Sequence, residues 1–572
     1  LWSSVLQRPA IDPDENFIDA GGNSLSGVAL VARVRDSFGV PLKLSDVFAA
    51  PILGELAQVI DRLPASREAG TTDATPARHG SGPAPLSFAQ ERMWFLERLR
   101  PGSPAYHVPV AMRIVGPLDV AALQVALDGV VARHDSLRTT VAHVDGRAVQ
   151  AIAPTGAVRL RTVDVDDEAL RGLAEREALA PFDLERGPLI RCLLLRSSAE
   201  DHTLVIAIHH FAADDWSLGV LLDDLQVNYR AARRGGAPLP RLAWQPSDFA
   251  VQQRGRCNPQ RLKELTSRER DRLSGAPTMI ELPGDHPRPA IATSRGGRVH
   301  LRRSAEDRDR MAALGRDERA SLFMVWLAGL AGFVSRITGR DDLLLGTISS
   351  GRTTLGSEPL VGFFTNTLVL RVRTVDDPSF AELVRRARRT LLEAEDGQEL
   401  PFERLVEALR PDRDLRRHPL VQMVLALDLP LGERELDDGT VLRPREIDTH
   451  TARFDLTIRL RDDGADGLLL TLLYNADVFE RATAERWAVQ LARMVDEGVA
   501  RPGTRVSELP LMDESERRTA LEQARGERRA VPDERLHEVV EAWAQREPTA
   551  PAVIAGDRVI AYAELNRRAN AL

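Results

Sequence analysis

Apolar residues recur at two alternating spacings along most of this chain. The run Leu204–Ile208 contains β-branched residues and predicts a buried strand. Leucine and valine then recur at helical spacing between Leu218 and Leu225. Similar alternation before this point predicts an α/β lobe. Its other predicted elements are a strand at Val108–Ile114, a helix at Val120–Val131 and a strand at Leu189–Leu195.

The remaining chain divides by pattern into further segments. Residues 1–62 show helical spacing, whereas residues 63–84 are rich in Pro, Ala, Gly, Ser and Thr and predict a flexible linker. After the first lobe, strands and helices continue to about residue 510 and predict a second lobe that starts near residue 265. The predicted strands are Arg298–Leu301, Asp342–Ile348, Leu368–Val372, Val421–Leu427, Leu456–Leu460 and Leu468–Tyr474. A charged connector is predicted at 511–530, followed by a small helix–strand unit.

Composition narrows the classes of function. The 572 residues carry a net charge of −8, which argues against nucleic-acid binding. Two cysteines and the absence of CxxC or HExxH spacing predict a reducing compartment and no metal site. The longest apolar run, Leu322–Val334, is too short to span a bilayer, and the N-terminus does not look like a signal peptide. We therefore expect a cytoplasmic protein without membrane contact, and a sequence cut from a longer one.

Two histidines close the buried strand. His209 and His210 are followed by Asp214, Asp215 and a predicted helix, so a potential general base stands on a rigid support with carboxylates nearby. The alternative is a strand end with two solvated histidines. The residues around the pair leave both interpretations open.

Ser24 follows two glycines and precedes a run of helical spacing from Ser26 to Phe38. One interpretation is an N-cap serine. The other is a hydroxyl presented for modification by an anionic group, which a helix N-terminus favours.

The sequence around Ser24 resembles that of a known family. Phe17, Gly21-Gly22 and Ser24-Leu25 match the modification motif of peptidyl carrier proteins of nonribosomal peptide synthetases, and Val47–Ala57 resembles the last helices of that family. The resemblance implies a four-helix, all-α carrier over residues 1–62, with its first turns missing. It also implies 4′-phosphopantetheine on Ser24.

The larger unit resembles the condensation domains of the same synthetases. Seven blocks occur in the family's order: Ser87–Leu96, Arg133–Thr140, His209–Asp214, Ser247–Val251, Val361–Thr367, Gln398–Glu403 and Arg413–Leu420. Pro246 stands where an aromatic residue is usual, and Arg416 where serine is usual. The resemblance implies a two-lobed α/β fold similar to chloramphenicol acetyltransferase, with lobes 85–264 and 265–510. Residues 531–572 resemble the start of an adenylation domain.

The condensation-domain resemblance implies roles for several residues in a peptide-bond-forming acyltransferase. His210 is the candidate for accepting a proton from, or orienting, the attacking amine, since an ordinary imidazole pKa is near neutral. His209 is expected to point into the lobe, because successive strand residues face opposite sides. Asp214 is either catalytic or, as the resemblance implies, structural, pairing with an arginine to hold the loop, with Arg352 as the candidate. Asn366 could donate to an oxyanion.

Asp215 departs from the family, which usually has glycine at this place. It is either a neutral replacement or an additional acid or base beside His210. Three functions follow: ordinary condensation, condensation with dehydration of a seryl or threonyl residue to a dehydroamino acid, and a non-catalytic recruitment platform. The sequence after Asp214 resembles that of the condensation-domain subtype whose donor substrate ends in an L-configured residue. Expected partners are upstream modules, a downstream aminoacyl carrier and a phosphopantetheinyl transferase.

Overall fold

The computed structural model describes residues 1–6, 8, 10–22, 24–64, 82–354, 356–411, 414, 416–437, 439–526 and 533–572, and of Ser24 and Leu25 only the backbone. Most of the predicted linker, the last residues of the predicted connector, and Arg413 and Leu415 of the seventh block lie outside these ranges. The described residues form two compact units, 1–511 and 512–572.

The first residues form a small helical group. Its helices are α1 (Trp2–Leu6), α2 (Ser24–Phe38), α3 (Leu44–Ala49) and α4 (Leu53–Arg62). Phe17 and Phe48 are completely buried between them, together with Leu30 and Val34 at helical spacing on α2. The four-helix carrier fold implied by the family resemblance stays a prediction.

The elements up to residue 256 form a strand-and-helix lobe, and the helix that follows at Pro259–Leu273 packs against the second half of the chain. In chain order they are β1 (Ala84–Pro85), α5 (Phe88–Leu99), β2 (His107–Val115), α6 (Val120–Arg133), β3 (Thr139–Val144), β4 (Arg147–Ile152), β5 (Leu160–Asp164), α7 (Asp167–Leu179), β6 (Ile190–Arg196), β7 (Asp201–His209), α8 (Asp215–Arg234), α9 (Pro246–Arg256) and α10 (Pro259–Leu273). Strands β1, β4 and β3 form a small three-stranded sheet.

The elements from residue 296 to residue 500 are built in the same way. They are β8 (Gly296–Arg303), α11 (Ala305–Asp317), α12 (Leu322–Thr338), β9 (Asp342–Ser349), β10 (Asn366–Arg373), α13 (Phe380–Asp396), α14 (Phe402–Leu409), β11 (Met423–Leu427), β12 (Arg434–Asp437), β13 (Thr440–Arg445), β14 (Leu456–Asp462), β15 (Leu468–Asn475) and α15 (Arg481–Ala500).

Two six-stranded mixed sheets organise these elements. The first sheet has the order β12-β13-β2-β7-β6-β5, and the second has the order β10-β9-β11-β14-β15-β8. Strand β7 lies inside the first sheet, antiparallel to both β2 and β6, and eight of its nine residues are buried. Helices α6 and α8 cover one face of this sheet, and Leu170 of α7 packs against Val205 on the other. A strand buried on both faces explains the continuous apolar run in its sequence.

The apolar run at 322–334 belongs to the core helix α12. Ser321 caps its start, and its residues from Phe323 to Val334 are buried. Among the described helices, none alone combines the length and apolar character needed to cross a membrane. Helices α11 and α12 meet these criteria only as a pair, which is bent by 94°.

The hairpin β12–β13 was not predicted. It comes from the second half of the chain, yet β13 pairs antiparallel with β2 and completes the first sheet. The hairpin sequence is short and charged, with an Arg-Pro-Arg end, so it carries little of the apolar alternation that identifies strands. The pairing of β13 with β2 connects this hairpin to the sheet that contains the two histidines.

Residues 512–572 contain α16 (Glu514–Ala524), α17 (Leu536–Arg546), β16 (Pro551–Ala555), β17 (Arg558–Ala561) and α18 (Tyr562–Asn570). Helix α16 lies where the sequence predicted a charged connector. Most of its side chains are polar and none is buried, which hides the helical period. Asp513 and Glu516 nevertheless form a capping box at its start.

Candidate active site

The two histidines lie where strand β7 ends. The His210 amide donates to the carbonyl of Tyr106 over 2.8 Å, and the His209 amide donates to the carbonyl of Leu189 over 3.0 Å. Main-chain bonds on both sides therefore fix this strand end. Because neighbouring strand residues face opposite sides, the two imidazoles enter different surroundings.

His209 belongs to a buried aromatic cluster. Its ring centroid lies 6.0 Å from that of His107 and 5.9 Å from that of Phe182. Its Nδ1 accepts the Phe211 amide over 3.1 Å, and its Nε2 lies 3.8 Å from a carboxylate oxygen of Glu97. Burial lowers the pKa of His107 to about 4, although a hydrogen bond to the carbonyl of Ala178 opposes this. His209 thus stabilises the strand end.

His210 lies where the end of β7 meets the loop that contains Phe363, and we call this place the cleft. Its ring centroid lies 4.6 Å from that of Phe363, and the residue is 5% exposed. Burial, reinforced by the charge of Arg453, lowers the pKa of His210 to about 4, and Asp215 and Asp214 oppose the shift only in part. His210 is therefore neutral at pH 7. A neutral imidazole has one nitrogen that can accept a hydrogen bond or a proton.

Asp214 and Arg352 form a buried ion pair, although they are 138 residues apart in sequence. Arg352 Nη1 donates to Asp214 Oδ2 over 2.7 Å, and Nη2 donates to Oδ1 over 3.1 Å. Their side chains are 0% and 2% exposed, respectively. The pair joins the N-cap of α8, below the first sheet, to the loop that follows β9 of the second sheet.

The same ion pair positions the loop that covers His210. Asp214 Oδ2 accepts the Phe364 amide over 3.2 Å, and Ser217 Oγ accepts the Gly362 amide over 3.0 Å. Both amides flank Phe363, whose ring packs on His210. Gly351 allows the two parts of this loop to meet: its φ is +65°, and an added Cβ would lie 1.9 Å from the Phe364 carbonyl oxygen.

Asp215 is held by a cation. Its carboxylate accepts from Arg459 Nη2 over 2.9 Å, and the same nitrogen donates to Asp428 over 2.5 Å. The side chain is 52% exposed, yet protein surrounds it closely enough to desolvate it. Desolvation raises the pKa of Asp215, but Arg459, His210 and Arg453 together outweigh it and leave the pKa below its usual range. Asp215 is therefore ionised at neutral pH and has no proton to donate.

The structure gives Asn366 an anchoring geometry. Its amide nitrogen donates to the carbonyls of Gln398 and Leu400 over 3.0 and 2.8 Å, and its oxygen accepts the Phe402 amide over 3.1 Å. Both amide hydrogens are used in these bonds. The oxyanion role expected from the sequence would require one of these hydrogen bonds to break. The observed bonds instead hold the sixth sequence block, Gln398–Glu403, in place.

Sequence reasoning did not identify the cations on the His210 side of the cleft. Arg459 lies on β14, and the guanidinium carbon of Arg453 lies 5.9 Å from the ring centroid of Tyr106. Both are more than 240 residues from His210 in sequence. The sequence carries no local signal for such a contact, and only the packing of the second sheet against the first produces it.

The backbone around Ser24 suits an anionic group. Ser24 is the first residue of the 15-residue helix α2, so free amides and the positive end of the helix dipole lie beside it. Gly21 has a φ of +92°, and a Cβ on Gly22 would lie 2.4 Å from the Phe17 carbonyl oxygen. This tight turn leads the chain into the helix, and a phosphodiester such as that of phosphopantetheine fits its start.

The N-terminal helical group contacts the second half of the chain through arginines. Arg316 at the end of α11 pairs with Asp19 over 3.2 Å. Arg319 and Arg388 donate to the carbonyls of Ala49 and Phe48, each over 3.3 Å. Both carbonyls lie at the C-terminal end of α3, where cations are favourable.

The chain matches two protein families. Residues 1–60 match the phosphopantetheine attachment site, and residues 81–521 match the condensation domain. One of the linear gramicidin synthase proteins of Brevibacillus parabrevis is 36% identical over the whole chain, as is phosphinothricin tripeptide synthetase PhsB of Streptomyces viridochromogenes. The chain spans 11% of the length of the first relative and 49% of the second.

Solved structures have the same fold. The X-domain from teicoplanin biosynthesis is 32% identical, with a TM-score of 0.71 over 77% of this chain and all of that one. The first condensation domain of the calcium-dependent antibiotic synthetase shares the fold at 22% identity, with a TM-score of 0.66 over 76% of this chain and all of that one. With its carrier segment, its two-sheet fold and its histidine pair between the sheets, the chain belongs to the condensation-domain family of nonribosomal peptide synthetases and carries a phosphopantetheine attachment site before that domain.

Proposed function

We propose that this chain forms an amide bond between two carrier-bound substrates. The donor is a peptidyl thioester with an L-configured end, held on the phosphopantetheine of Ser24, and the acceptor is the amine of an aminoacyl thioester on a downstream carrier. The neutral, buried imidazole of His210 in the cleft between the sheets carries the proposal. The arm, when bound to Ser24, would supply the thiol that carries the donor as a thioester.

The residues of the site have different roles in this reaction. His210 accepts a hydrogen bond from the attacking amine and so orients its lone pair toward the thioester carbonyl. Most of the acceleration comes from holding the two substrates together, which can remove roughly 7–11 kcal/mol of barrier. Asp214 and Arg352 do not take part in proton transfer but hold the loop of Phe363 against His210.

The alternative functions have unequal support. Dehydration would need an acid beside the β-hydroxyl, and the Asp215 carboxylate, ionised and paired with Arg459, does not supply one. The likeness to the teicoplanin X-domain, which was solved in a complex with OxyB, favours a recruitment platform as the second candidate. The neutral His210 in the cleft favours catalysis.

The domain arrangement is part of the same proposal. A four-helix carrier at 1–62, a linker at 63–84, lobes at 85–264 and 265–510 in the manner of chloramphenicol acetyltransferase, and a connector at 511–530 precede the start of an adenylation domain at 531–572. Upstream modules would feed the carrier, and a phosphopantetheinyl transferase would modify Ser24. Helix α17 and the β16–β17 hairpin leave Leu536 and Ile554 exposed, which supports a continuation of that unit.

A transfer experiment tests the proposal against its alternatives. Ser24 is loaded with a peptidyl-pantetheine that ends in serine, an aminoacyl acceptor carrier is added, and intact masses are measured. We expect the acyl mass to move from this chain to the acceptor, with His210→Ala reducing the rate and Ser24→Ala abolishing loading. Loss of one water would support dehydration. An unchanged donor mass, with acceptor binding retained, would contradict condensation and support the platform.

A further inference from the structure

Arg453 lies on the same side of the first sheet as His210. The Tyr106 carbonyl accepts the His210 amide, and the next residue, His107, pairs with His209 across β2 and β7. Tyr106 and His210 adjoin each other just beyond the ends of β2 and β7, and the charge of Arg453 acts on the His210 imidazole. The Arg453 guanidinium over the Tyr106 ring is therefore a cation on the cleft side.

The guanidinium of Arg453 is not neutralised by an acidic side chain. In the parts of the chain that the structure describes, no carboxylate lies within ion-pair distance of it, and Arg459 already holds the neighbouring Asp215. Arg453 is an exposed residue. A guanidinium has five N–H donors, and here its ring contact with Tyr106 uses none of them. Arg453 thus presents free donors and a positive charge beside the imidazole of the proposed active site.

We propose that Arg453 is a further catalytic residue, which donates hydrogen bonds to the carbonyl oxygen of the donor thioester and stabilises the oxyanion formed during attack. The inference rests on the condensation activity proposed above. Preorganised donors aimed at developing charge give large rate effects in sites that exclude water. Asn366 does not fill the role of oxyanion donor, because both of its amide hydrogens are already donated to main-chain carbonyls.

Attack on the thioester, loss of the thiolate and transfer of the proton follow one another in the proposed step. The amine nitrogen forms a bond to the thioester carbon, and the carbonyl π electrons move to the oxygen, which Arg453 then contacts. As the C–O double bond re-forms, the C–S bond breaks and the thiolate leaves. The proton lost by the ammonium passes to His210 and then to the thiolate, which gives an amide and a free thiol.

The charge of Arg453 also couples attack to proton transfer. Before attack, burial and the cation both lower the proton affinity of His210. The carboxylates of Asp214 and Asp215 raise it only in part. An oxyanion beside Arg453 offsets that positive charge. The proton affinity of His210 then rises at the moment when the ammonium must lose its proton.

Replacement of the guanidinium tests the rate effect. We expect Arg453→Gln to lower the single-turnover rate of transfer by about 10²–10³-fold, the usual cost of removing one oxyanion donor, and Arg453→Lys to lower it less. The loss should be equal for alanyl and aspartyl acceptors, and for donor peptides with and without a carboxylate side chain. Arg461→Gln is the matched control, because Arg461 lies on β14 beside Arg459 but pairs with Asp463. A loss confined to acidic substrates would overturn the oxyanion role.

A second readout does not depend on loading or turnover. In protein labelled with ¹³C at histidine Cε1, the His210 resonance is assigned by its absence in His210→Gln and titrated by NMR. We expect the His210 pKa to rise from about 4 toward its ordinary value in Arg453→Gln, and not in Arg461→Gln. An unchanged His210 pKa together with a normal transfer rate would refute the role of Arg453. Absence of transfer in the unmodified protein would instead refute the proposed condensation activity.

Discussion

At the scale of single residues, the ion pair of Asp214 and Arg352 explains why an aspartate stands at that place in the histidine motif. A carboxylate without solvent contact needs a partner, and removing one member leaves a buried charge unpaired. The pair also supplies the acceptor for the Phe364 amide and so fixes the covering loop. The role predicted for Asp214 from the family resemblance stays a proposal, but its geometry now has named partners.

Arg352→Ala should reduce the free energy of unfolding by roughly 3–5 kcal/mol, because it leaves Asp214 buried without a cation. Urea denaturation would measure the change. Asp214→Ala/Arg352→Ala should cost less than the sum of the single substitutions, since neither charge is then left alone. A wild-type midpoint for Arg352→Ala would contradict the structural role.

Asp215→Asn tests whether the Asp215 carboxylate takes part in the reaction. We expect amide-bond formation to continue within about tenfold of the wild-type rate, because the carboxylate acts as an ion-pair partner of Arg459 and not as an acid. Rapid-quench mass analysis of the transfer reaction would measure this. A seryl donor that loses water in the wild type but not in Asp215→Asn would show that the carboxylate has a chemical role.

The two histidines with a depressed pKa predict how stability depends on pH. His107 and His210 have folded-state pKa values of about 4, against 6.5 when unfolded, so the unfolded chain binds more protons between these values. Stability should therefore fall as pH decreases from 6.5 toward 4, by up to about 3 kcal/mol for each histidine. Urea titrations of wild type and His107→Gln over this range would measure the slope. A slope that His107→Gln leaves unchanged would argue against a depressed pKa at this residue.

At the scale of elements, the contact between helix α3 and the arginines near α11 and α13 gives the carrier a defined resting place. Arg319 and Arg388 meet the carbonyl end of α3, and Arg316 meets Asp19. Burial lowers the pKa of Arg388, and Arg319 adds to the shift, so two cations lie close together beside one helix end. Their positions fit the negative end of the α3 dipole.

Arg319→Glu/Arg388→Glu should weaken this contact, since two anions would then face the carbonyl end of α3. The expected result is faster modification of Ser24 by a phosphopantetheinyl transferase and slower transfer to an acceptor carrier, with an unchanged unfolding midpoint. Arg310→Glu is a suitable control, because Arg310 lies on α11 and pairs within that helix. Equal transfer rates in both proteins would mean that the contact is not used during transfer.

Elements with strong periodicity were predictable, and those without it were not. The strands around the histidine pair have long apolar runs, and their predicted positions differ from the observed ones by only a few residues. Hairpin β12–β13 is short, charged and half-exposed, and helix α16 is charged and almost fully exposed. Their formation depends on a neighbouring strand or on end capping, which local apolar spacing does not report.

At the scale of the whole molecule, two sheets from distant parts of the chain create the site. The histidine motif could be identified from sequence alone, because its residues are contiguous. Arg352, Arg453 and Arg459 act across separations of more than 130 residues, where sequence pattern carries no distance information. Of these, only Arg352 was predicted, and that prediction came from the family resemblance and not from periodicity.

In the proposed reaction His210 assists amide-bond formation between a donor on Ser24 and an acceptor amine. A single-turnover transfer assay at pH 7, read by the intact mass of both carriers, tests it most directly. We predict that the acyl group moves to the acceptor in the wild type and that His210→Ala slows transfer by about 10²-fold or more, the usual share of a general acid–base group. Transfer at the wild-type rate in His210→Ala, or no transfer in the wild type with both carriers loaded, would contradict the account.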